Sequence, residues 1–277
     1  MNPLGINLWN WRATLDNGCV PLVETVKQLG FTAVELPMTQ PVVSDALADA
    51  ISRSGLAVSL CAALGAGRDL SNFDAAVRRD TMEYLTACIH TAGKLGASVL
   101  AGPLYTGGGK CHRLSDEDKK REWNLAVTGL QRLAQTARQE GVQLALEPLH
   151  RYRSSVMNTA AQALQMVRDI GCGNVGVHFD TFHANIEETD VCAALESVLQ
   201  KEKLFHFHAC ANNRGAPGMG HLPWQQIFLL LKRYGYTGHI TMETFAPDAM
   251  DAAWYPLAQS EDALARAGID FLKRAVS

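Results

Sequence analysis

Four side chains that can bind a metal ion close four consecutive apolar runs in the second half of the chain. The runs LALE, VGVHFD, FHFH and ITME end in Glu147, Asp180, His208 and Glu243. Pro148 favours an extended conformation for the residue before it, so Glu147 is predicted to be the last residue of its strand. Three carboxylates and one imidazole form a hard, oxygen-rich set, which favours Mn²⁺, Mg²⁺ or Co²⁺ over metals that prefer thiolates. The pattern predicts a divalent metal site without choosing among these three ions.

These side chains meet only if their strands share one edge of a sheet, and the chain predicts such a sheet. Short apolar runs alternate with longer segments of helical period, and no linker divides them. The predicted strands are residues 5–9, 33–36, 57–62, 98–101, 143–147, 175–180, 204–208 and 239–243. The predicted helices are residues 20–29, 44–54, 74–95, 115–140, 160–170, 191–199, 224–234 and 261–275. Alternating strands and helices imply parallel strands joined by crossover helices.

Eight such units predict an α/β fold, a single (β/α)8 TIM barrel over residues 1–277. The length of 277 residues suits one barrel, which typically takes about 250 residues. In such barrels the catalytic groups lie at the carboxyl ends of the strands, where the four candidates are placed. A single carboxylate at a strand end is often only a helix N-cap or a salt-bridge partner. Four candidates on four consecutive strands are much harder to explain in that way.

Two further histidines share strand faces with the predicted ligands. His206 lies two residues before His208, and His178 lies two residues before Asp180, so each pair points to one side of its strand. His208 is nearer the strand end and is the predicted ligand. His206 and His178 are predicted to lie deeper in the barrel, as hydrogen-bonded core residues or as partners that orient the ligands.

The composition argues against several classes of function. Lys and Arg number 25 against 28 Asp and Glu, a net charge of −3, which predicts no basic surface for nucleic acid. No apolar run approaches the roughly 20 residues of a membrane span. Residues 1–11 lack the basic start and apolar core of a signal peptide, and the seven cysteines form no C-x-x-C pair. We therefore expect a cytoplasmic protein that binds neither nucleic acid nor membrane.

Four segments resemble the D-tagatose 3-epimerase / D-psicose 3-epimerase family, a group of the xylose-isomerase-like barrels. They are LEPLHRYRSSVMNT at 146–159, FDTFHANIEE at 179–188, HFHACANNRGAPGMGHLPW at 206–224 and TMETF at 241–245. The patterns DTFH-x-NIEE and N-R-x-x-P-G-x-G are far more specific than a lone acidic strand end. The resemblance extends through essentially the whole chain and is weaker before residue 95.

The resemblance implies a sugar 3-epimerase with one divalent ion per chain, bound by the same four residues. Mn²⁺ is the first expectation, with Co²⁺ or Mg²⁺ as alternatives. Glu147 and Glu243 would be the acid/base pair that inverts C3 of a ketose through a cis-enediolate. His183 and Arg214 would contact the hydroxyl and carbonyl end of this small-molecule sugar. A homodimer or homotetramer is expected on the same ground.

The predicted sugar pocket departs from the family. Family members usually carry a glutamate six residues after the first metal glutamate, and this chain has Arg153 there. We expect Arg153 to face the substrate in an altered pocket. Trp9 and Trp11 follow the first strand and could stack on the apolar side of a sugar, although Trp9 could equally pack in the barrel. The LEPLHRY segment also resembles relatives that act on 3-keto sugars or glycosides.

Three other functions fit parts of the pattern. An aldose–ketose isomerase would use the same chemistry to move a proton between C1 and C2. An AP-endonuclease-like nuclease needs a richer histidine cluster and a basic face, which the net charge opposes. A non-catalytic sugar-binding barrel has no need of two opposed carboxylates, so the pair Glu147 and Glu243 argues against it.

Overall fold

A closed barrel of parallel strands forms the centre of the computed structural model, which describes residues 2–65, 67–249 and 251–277. Each strand pairs with the next in chain order, and the eighth pairs with the first. The strands are β1 (Leu4–Asn7), β2 (Ala33–Pro37), β3 (Ala57–Cys61), β4 (Val99–Gly102), β5 (Gln143–Leu146), β6 (Val175–Asp180), β7 (Leu204–Ala209) and β8 (Ile240–Met242). The predicted α/β TIM barrel is confirmed.

Nine α-helices in the described part of the chain connect and cover these strands. They are α1 (Val20–Leu29), α2 (Asp45–Ser54), α3 (Ala75–Leu95), α4 (Asp116–Gln139), α5 (Ala160–Ile170), α6 (Thr181–Glu187), α7 (Val191–Gln200), α8 (Trp224–Arg233) and α9 (Glu261–Ala275). Short 3₁₀ helices at Leu8–Asn10 and Asn17–Cys19 follow β1 and were not predicted. Among the described residues, no helix has both the length and the apolar character needed to cross a bilayer.

The element boundaries differ from the sequence prediction mainly at the strand ends that carry the candidate site. β5 ends at Leu146 and β8 at Met242. Glu147 and Glu243 are therefore the first residues after their strands, not the last residues within them. Glu147 keeps one bond to the barrel, since its N–H donates to the carbonyl of Gly102 at 3.1 Å. This bond holds the side chain at the carboxyl-terminal rim.

The apolar core lies mainly between the strands and the surrounding helices, in one large cluster of buried side chains. The inside of the barrel instead holds polar groups whose positions follow from strand register. Asn7 of β1 is opposite Glu35 of β2, which is opposite Ser59 of β3. Asp180 of β6 is opposite His208 of β7. Paired residues of parallel strands share a face, so register alone brings two of the predicted ligands side by side.

Candidate metal centre and active site

The four predicted ligands meet at the carboxyl-terminal rim of the barrel. Ligand atoms of Glu147, Asp180, His208 and Glu243 all lie within 4.8 Å of one another, and each residue is at most 4% exposed. The Nδ1 atom of His208 lies 3.4 Å from Glu243 Oε1 and 3.8 Å from Asp180 Oδ2. That nitrogen is buried without a hydrogen-bond partner among the described residues. An unpartnered imidazole nitrogen facing carboxylates matches the donor set of a hard divalent cation.

Asp180 serves two roles with its two carboxylate oxygens. Oδ1 accepts hydrogen bonds from the backbone N–H groups of Phe182 at 2.6 Å and His183 at 3.3 Å, so Asp180 is the N-cap of α6. Oδ2 is turned the other way, toward His208 and Arg214. The helix cap fixes the rotation of the side chain, which leaves one oxygen directed at the cluster.

Arg214 places its guanidinium among the carboxylates. Nη1 donates to Asp180 Oδ2 at 3.1 Å and to Glu243 Oε2 at 2.9 Å. The guanidinium carbon lies 3.9 Å from the ring centre of Phe182, a cation–π contact. Arg214 is 5% exposed and has a φ of 64°, in the left-handed region that non-glycine residues rarely adopt. The loop after β7 thus holds strain to bring this side chain into the site.

The charges of the cluster are not balanced. Burial, with the charges of Glu243 and Asp180, holds the pKa of Glu147 well above its ordinary value. Burial also raises the pKa of Asp180, but Arg214, His208 and His183 together outweigh it and hold that pKa well below its ordinary value. Arg214 bonds to Asp180 and Glu243, so the charge of Glu147 is the least compensated of the three. A divalent cation would remove this imbalance.

His183 presents a ring nitrogen, Nε2, to the same space. Burial holds its pKa well below the ordinary value, so the ring is neutral. The backbone N–H of His150 donates to Nδ1 at 3.1 Å. Nε2 lies 3.7 Å from Glu147 Oε1 and 3.2 Å from Arg214 Nη2. A neutral imidazole has one lone pair, so it accepts from either His150 or Arg214, and the other ring nitrogen carries the proton. His183 and Arg214 therefore place polar nitrogen atoms in one region beside the carboxylates.

A cavity that is partly open to solvent lies over this cluster. Trp9 forms one wall and stacks on Phe245 with ring centres 5.4 Å apart. Trp11 is not among the lining residues, and its indole N–H donates to Asp262 at 2.6 Å. Arg153 does line the cavity, where it forms an ion pair with Asp251. The structure thus places Trp9 and Arg153 at the predicted pocket.

Two charged residues near this site were not predicted. Glu35 of β2 is fully buried and contacts both His206 and His208, each at 2.7 Å between a ring Nε2 and a carboxylate oxygen. The lone charge in the buried strand AVELP was an available signal, because buried carboxylates are rare unless they are paired. Asp251 contacts Arg153 and Arg214 from the long segment after β8, and no sequence pattern marks it. His206 is fully buried, as expected for a residue deeper in the barrel.

A protein-family model described as "Xylose isomerase-like TIM barrel" matches residues 23–275. The chain belongs to this family. An L-ribulose 3-epimerase of Mesorhizobium japonicum is 32% identical over 255 residues, which cover 91% of this chain and 84% of the relative. A D-psicose 3-epimerase of Agrobacterium fabrum is 33% identical over 230 residues, which cover 81% of this chain and 78% of the relative. The resemblance to the ketose 3-epimerases is confirmed, and it places this chain among enzymes of the isomerase class.

The solved structures agree with this membership. The crystal structure of a D-allulose 3-epimerase from Methylomonas sp. in complex with D-allulose superposes with a TM-score of 0.90 at 26% identity. The superposition covers 99% of this chain and 97% of that one. The likeness thus includes the rim loops as well as the barrel strands.

Proposed function

We propose that this protein is a divalent-metal-dependent 3-epimerase of a ketose, such as a tagatose-, psicose- or ribulose-like sugar, or of a related keto sugar. The observation that carries the proposal is the meeting of Glu147, Glu243, Arg214 and His183 in one cavity. A carboxylate pair, two hydrogen-bond donors and a buried four-residue donor set are what proton transfer beside a carbonyl requires. The relatives named above are 3-epimerases of L-ribulose and D-psicose.

Glu147, Asp180, His208 and Glu243 would hold the cation, for which Mn²⁺ is the first choice and Co²⁺ or Mg²⁺ the alternatives. When bound, the cation supplies a Lewis acid that stabilises negative charge on the substrate's oxygens. The fit is supported by the compact donor set and by the unpartnered Nδ1 of His208. Its positive charge would also stabilise the ionised form of Glu147, which the surrounding carboxylates otherwise disfavour.

Glu147 and Glu243 would carry the protons. One glutamate, ionised, removes the proton from C3 and leaves a planar enediolate on the sugar. The other, protonated, returns a proton to C3 from the opposite face, so the centre is inverted and one carboxyl is again protonated. The two side chains follow different strands, β5 and β8, and they differ in surroundings. Glu243 accepts a hydrogen bond from Arg214 at 2.9 Å. His178 and His183 approach Glu147 only to 3.7 Å. Such different surroundings would let one glutamate donate a proton while the other accepts one.

The remaining pocket residues would orient the sugar. Nε2 of His183 and the guanidinium of Arg214 would hydrogen-bond to the carbonyl and hydroxyl oxygens next to C3. Trp9, stacked on Phe245, would cover the apolar C–H face of the ring or chain. Arg153, paired with Asp251, would contact hydroxyls at the far end, in place of the family's usual glutamate.

Deuterium incorporation tests this assignment directly. The Mn²⁺-loaded protein is incubated in D₂O with a panel of ketoses and 3-keto sugars, and NMR locates the label. Label at C3 with formation of the second epimer supports the proposal, because the returned proton exchanges with solvent on the carboxyl group. Label at C1 or C2 identifies an aldose–ketose isomerase instead. A metal-bound protein that labels no sugar contradicts both assignments and favours a sugar-binding barrel.

Three further expectations stay predictions. They are one barrel unit over residues 1–277, a homodimer or homotetramer, and a cytoplasmic location. Sedimentation of the purified protein measures the second.

A further inference from the structure

Glu35 is a buried carboxylate that contacts a predicted ligand from below the site. It lies on β2 inside the barrel and is 0% exposed. Oε1 is 2.7 Å from Nε2 of His208 and accepts a hydrogen bond from Asn7 Nδ2 at 2.8 Å. Oε2 accepts from Ser59 Oγ at 2.8 Å and lies 2.7 Å from Nε2 of His206. Both oxygens are therefore surrounded by polar partners, although the residue is completely buried.

The register of the barrel sets up these contacts. Asn7, Glu35 and Ser59 are opposite one another on β1, β2 and β3, so their side chains share one level of the interior. Asn7 and Ser59 hold the carboxylate from its two sides, and both its oxygens then face β7 across the barrel. The contacts on both oxygens leave the carboxylate of Glu35 little freedom to rotate.

A fixed carboxylate at Nε2 determines which nitrogen of His208 can bind a cation. A carboxylate only accepts hydrogen bonds, so Nε2 of His208 carries a proton that it donates to Glu35. The lone pair available to a metal is then on Nδ1. That atom faces Asp180 and Glu243 and has no hydrogen-bond partner among the described residues.

We propose that Glu35 is a positioning residue that holds His208 for metal binding through Nδ1. This inference rests on the proposed function, since it requires His208 to be a metal ligand. A carboxylate that accepts from the far nitrogen of a histidine ligand fixes the ring and makes the near nitrogen a better donor. Loss of such partners typically weakens metal binding by about 10- to 100-fold.

Metal affinity tests the proposal without any turnover measurement. Mn²⁺ is titrated calorimetrically into EDTA-stripped wild type, Glu35→Gln, His208→Gln and Glu122→Gln. Glutamine keeps the size of Glu35 and removes its charge, so we expect Mn²⁺ to bind roughly 10-fold or more weakly. Glu122 is the matched control. It lies on the outer helix α4, is 4% exposed and is ion-paired with Lys110, so its variant should bind Mn²⁺ like wild type.

The variants separate failure of this inference from failure of the proposed function. If His208→Gln weakens Mn²⁺ binding but Glu35→Gln stays within twofold of wild type, Glu35 has no positioning role and the metal site stands. If His208→Gln has no effect on Mn²⁺ binding, the proposed metal site is wrong and this inference fails with it.

A measurement on the wild type guards against a Glu35 variant that does not fold. The protein is labelled with ¹⁵N-histidine, stripped, and loaded with diamagnetic Zn²⁺, and His208→Gln identifies the signal of His208. We expect His208 to carry its proton on Nε2 and to bind the ion through Nδ1. A proton on Nδ1, with Nε2 bound to the ion, would overturn the proposal.

Discussion

Replacing Glu147 by glutamine should stabilise the metal-stripped protein even though it removes a proposed ligand. Glu147 is 4% exposed, and its carboxylate lies within 4.8 Å of ligand atoms of Asp180 and Glu243. Two like charges at that separation cost about 3 kcal/mol at an effective dielectric constant of about 20. Arg214 offsets part of this repulsion through its bonds to Asp180 and Glu243, while Glu147 has no such bond. An uncharged carboxamide removes the repulsion.

Proton uptake limits this effect and gives it a pH dependence. Because the pKa of Glu147 is raised on folding, the native protein holds a proton that the unfolded chain releases. Native stability therefore falls as pH rises above the ordinary value of 4.5, until the folded pKa is passed. At about 1.4 kcal/mol per pH unit, the loss at pH 7 is at most about 3.4 kcal/mol, and at pH 5 at most about 0.7 kcal/mol. We expect Glu147→Gln to recover about 2–3 kcal/mol at pH 7.

Thermal unfolding measures both parts of this prediction. For a protein of this size, about 1 kcal/mol shifts Tm by roughly 2 °C, so stripped Glu147→Gln should melt about 4–6 °C above wild type at pH 7. The difference should shrink to about 1 °C at pH 5. Mn²⁺ should narrow this difference at pH 7, since an ion at 100 times its Kd adds about 2.7 kcal/mol to wild type and less to a variant lacking one ligand.

A matched variant and a clear contrary result complete the test. Glu122 is equally buried but is ion-paired with Lys110, so Glu122→Gln should lower Tm with and without Mn²⁺. The reasoning fails if stripped Glu147→Gln is no more stable than wild type at pH 7. It also fails if the gain is as large at pH 5, because the stabilisation would then not come from an uncompensated charge.

Three other substitutions have defined outcomes. Arg214→Ala should destabilise the stripped protein by about 3–5 kcal/mol, because it leaves buried carboxylates unpaired. Mn²⁺ should recover part of the lost Tm. A variant whose Tm does not rise with Mn²⁺ would argue against a site shared by Arg214 and the ion. Glu243→Gln should lower kcat at least about 100-fold and abolish deuterium incorporation at C3, and normal exchange would exclude it from the acid/base pair. Trp9→Ala should raise KM for the sugar in steady-state kinetics while Trp9→Phe retains most of the affinity; an unchanged KM would assign Trp9 to barrel packing.

The elements were predictable where the chain keeps a regular period. Apolar runs of four to six residues separated by amphipathic segments identified every strand of the barrel, and glycines such as Gly30 and Gly171 ended the helices as predicted. Helix α6 was missed because it spans only Thr181–Glu187 and begins directly at the end of β6. Its start depends on Asp180 turning one oxygen back to cap the helix. A carboxylate interpreted as a ligand therefore also marked a helix start, and the two interpretations are compatible because each uses a different oxygen.

The residues of the candidate site that lie at strand ends could be predicted from the sequence. Each proposed ligand lies at or just after the end of its own strand, so topology alone brings the set together. Glu35 lies in the middle of β2, and its partners His206 and His208 are on β7. Only the closed barrel reveals that these strands face each other across the interior. No local pattern in a sequence reports a contact between residues 173 positions apart.

The effect of Arg153 on the pocket depends on Asp251, a residue that no sequence pattern indicates. An arginine in place of the family's usual glutamate suggests a pocket rebuilt for an anionic substrate. In the structure, however, Arg153 is ion-paired with Asp251, and Asp251 also accepts a bond from Arg214 at 3.3 Å. The positive charge enters the cavity together with a negative one, so the substitution does not by itself create a site for an anion. The pair instead offers hydrogen-bond donors and an acceptor at fixed positions, which suits the hydroxyl groups of an uncharged sugar. This pocket would therefore discriminate among sugars by the spacing of their hydroxyl groups rather than by charge.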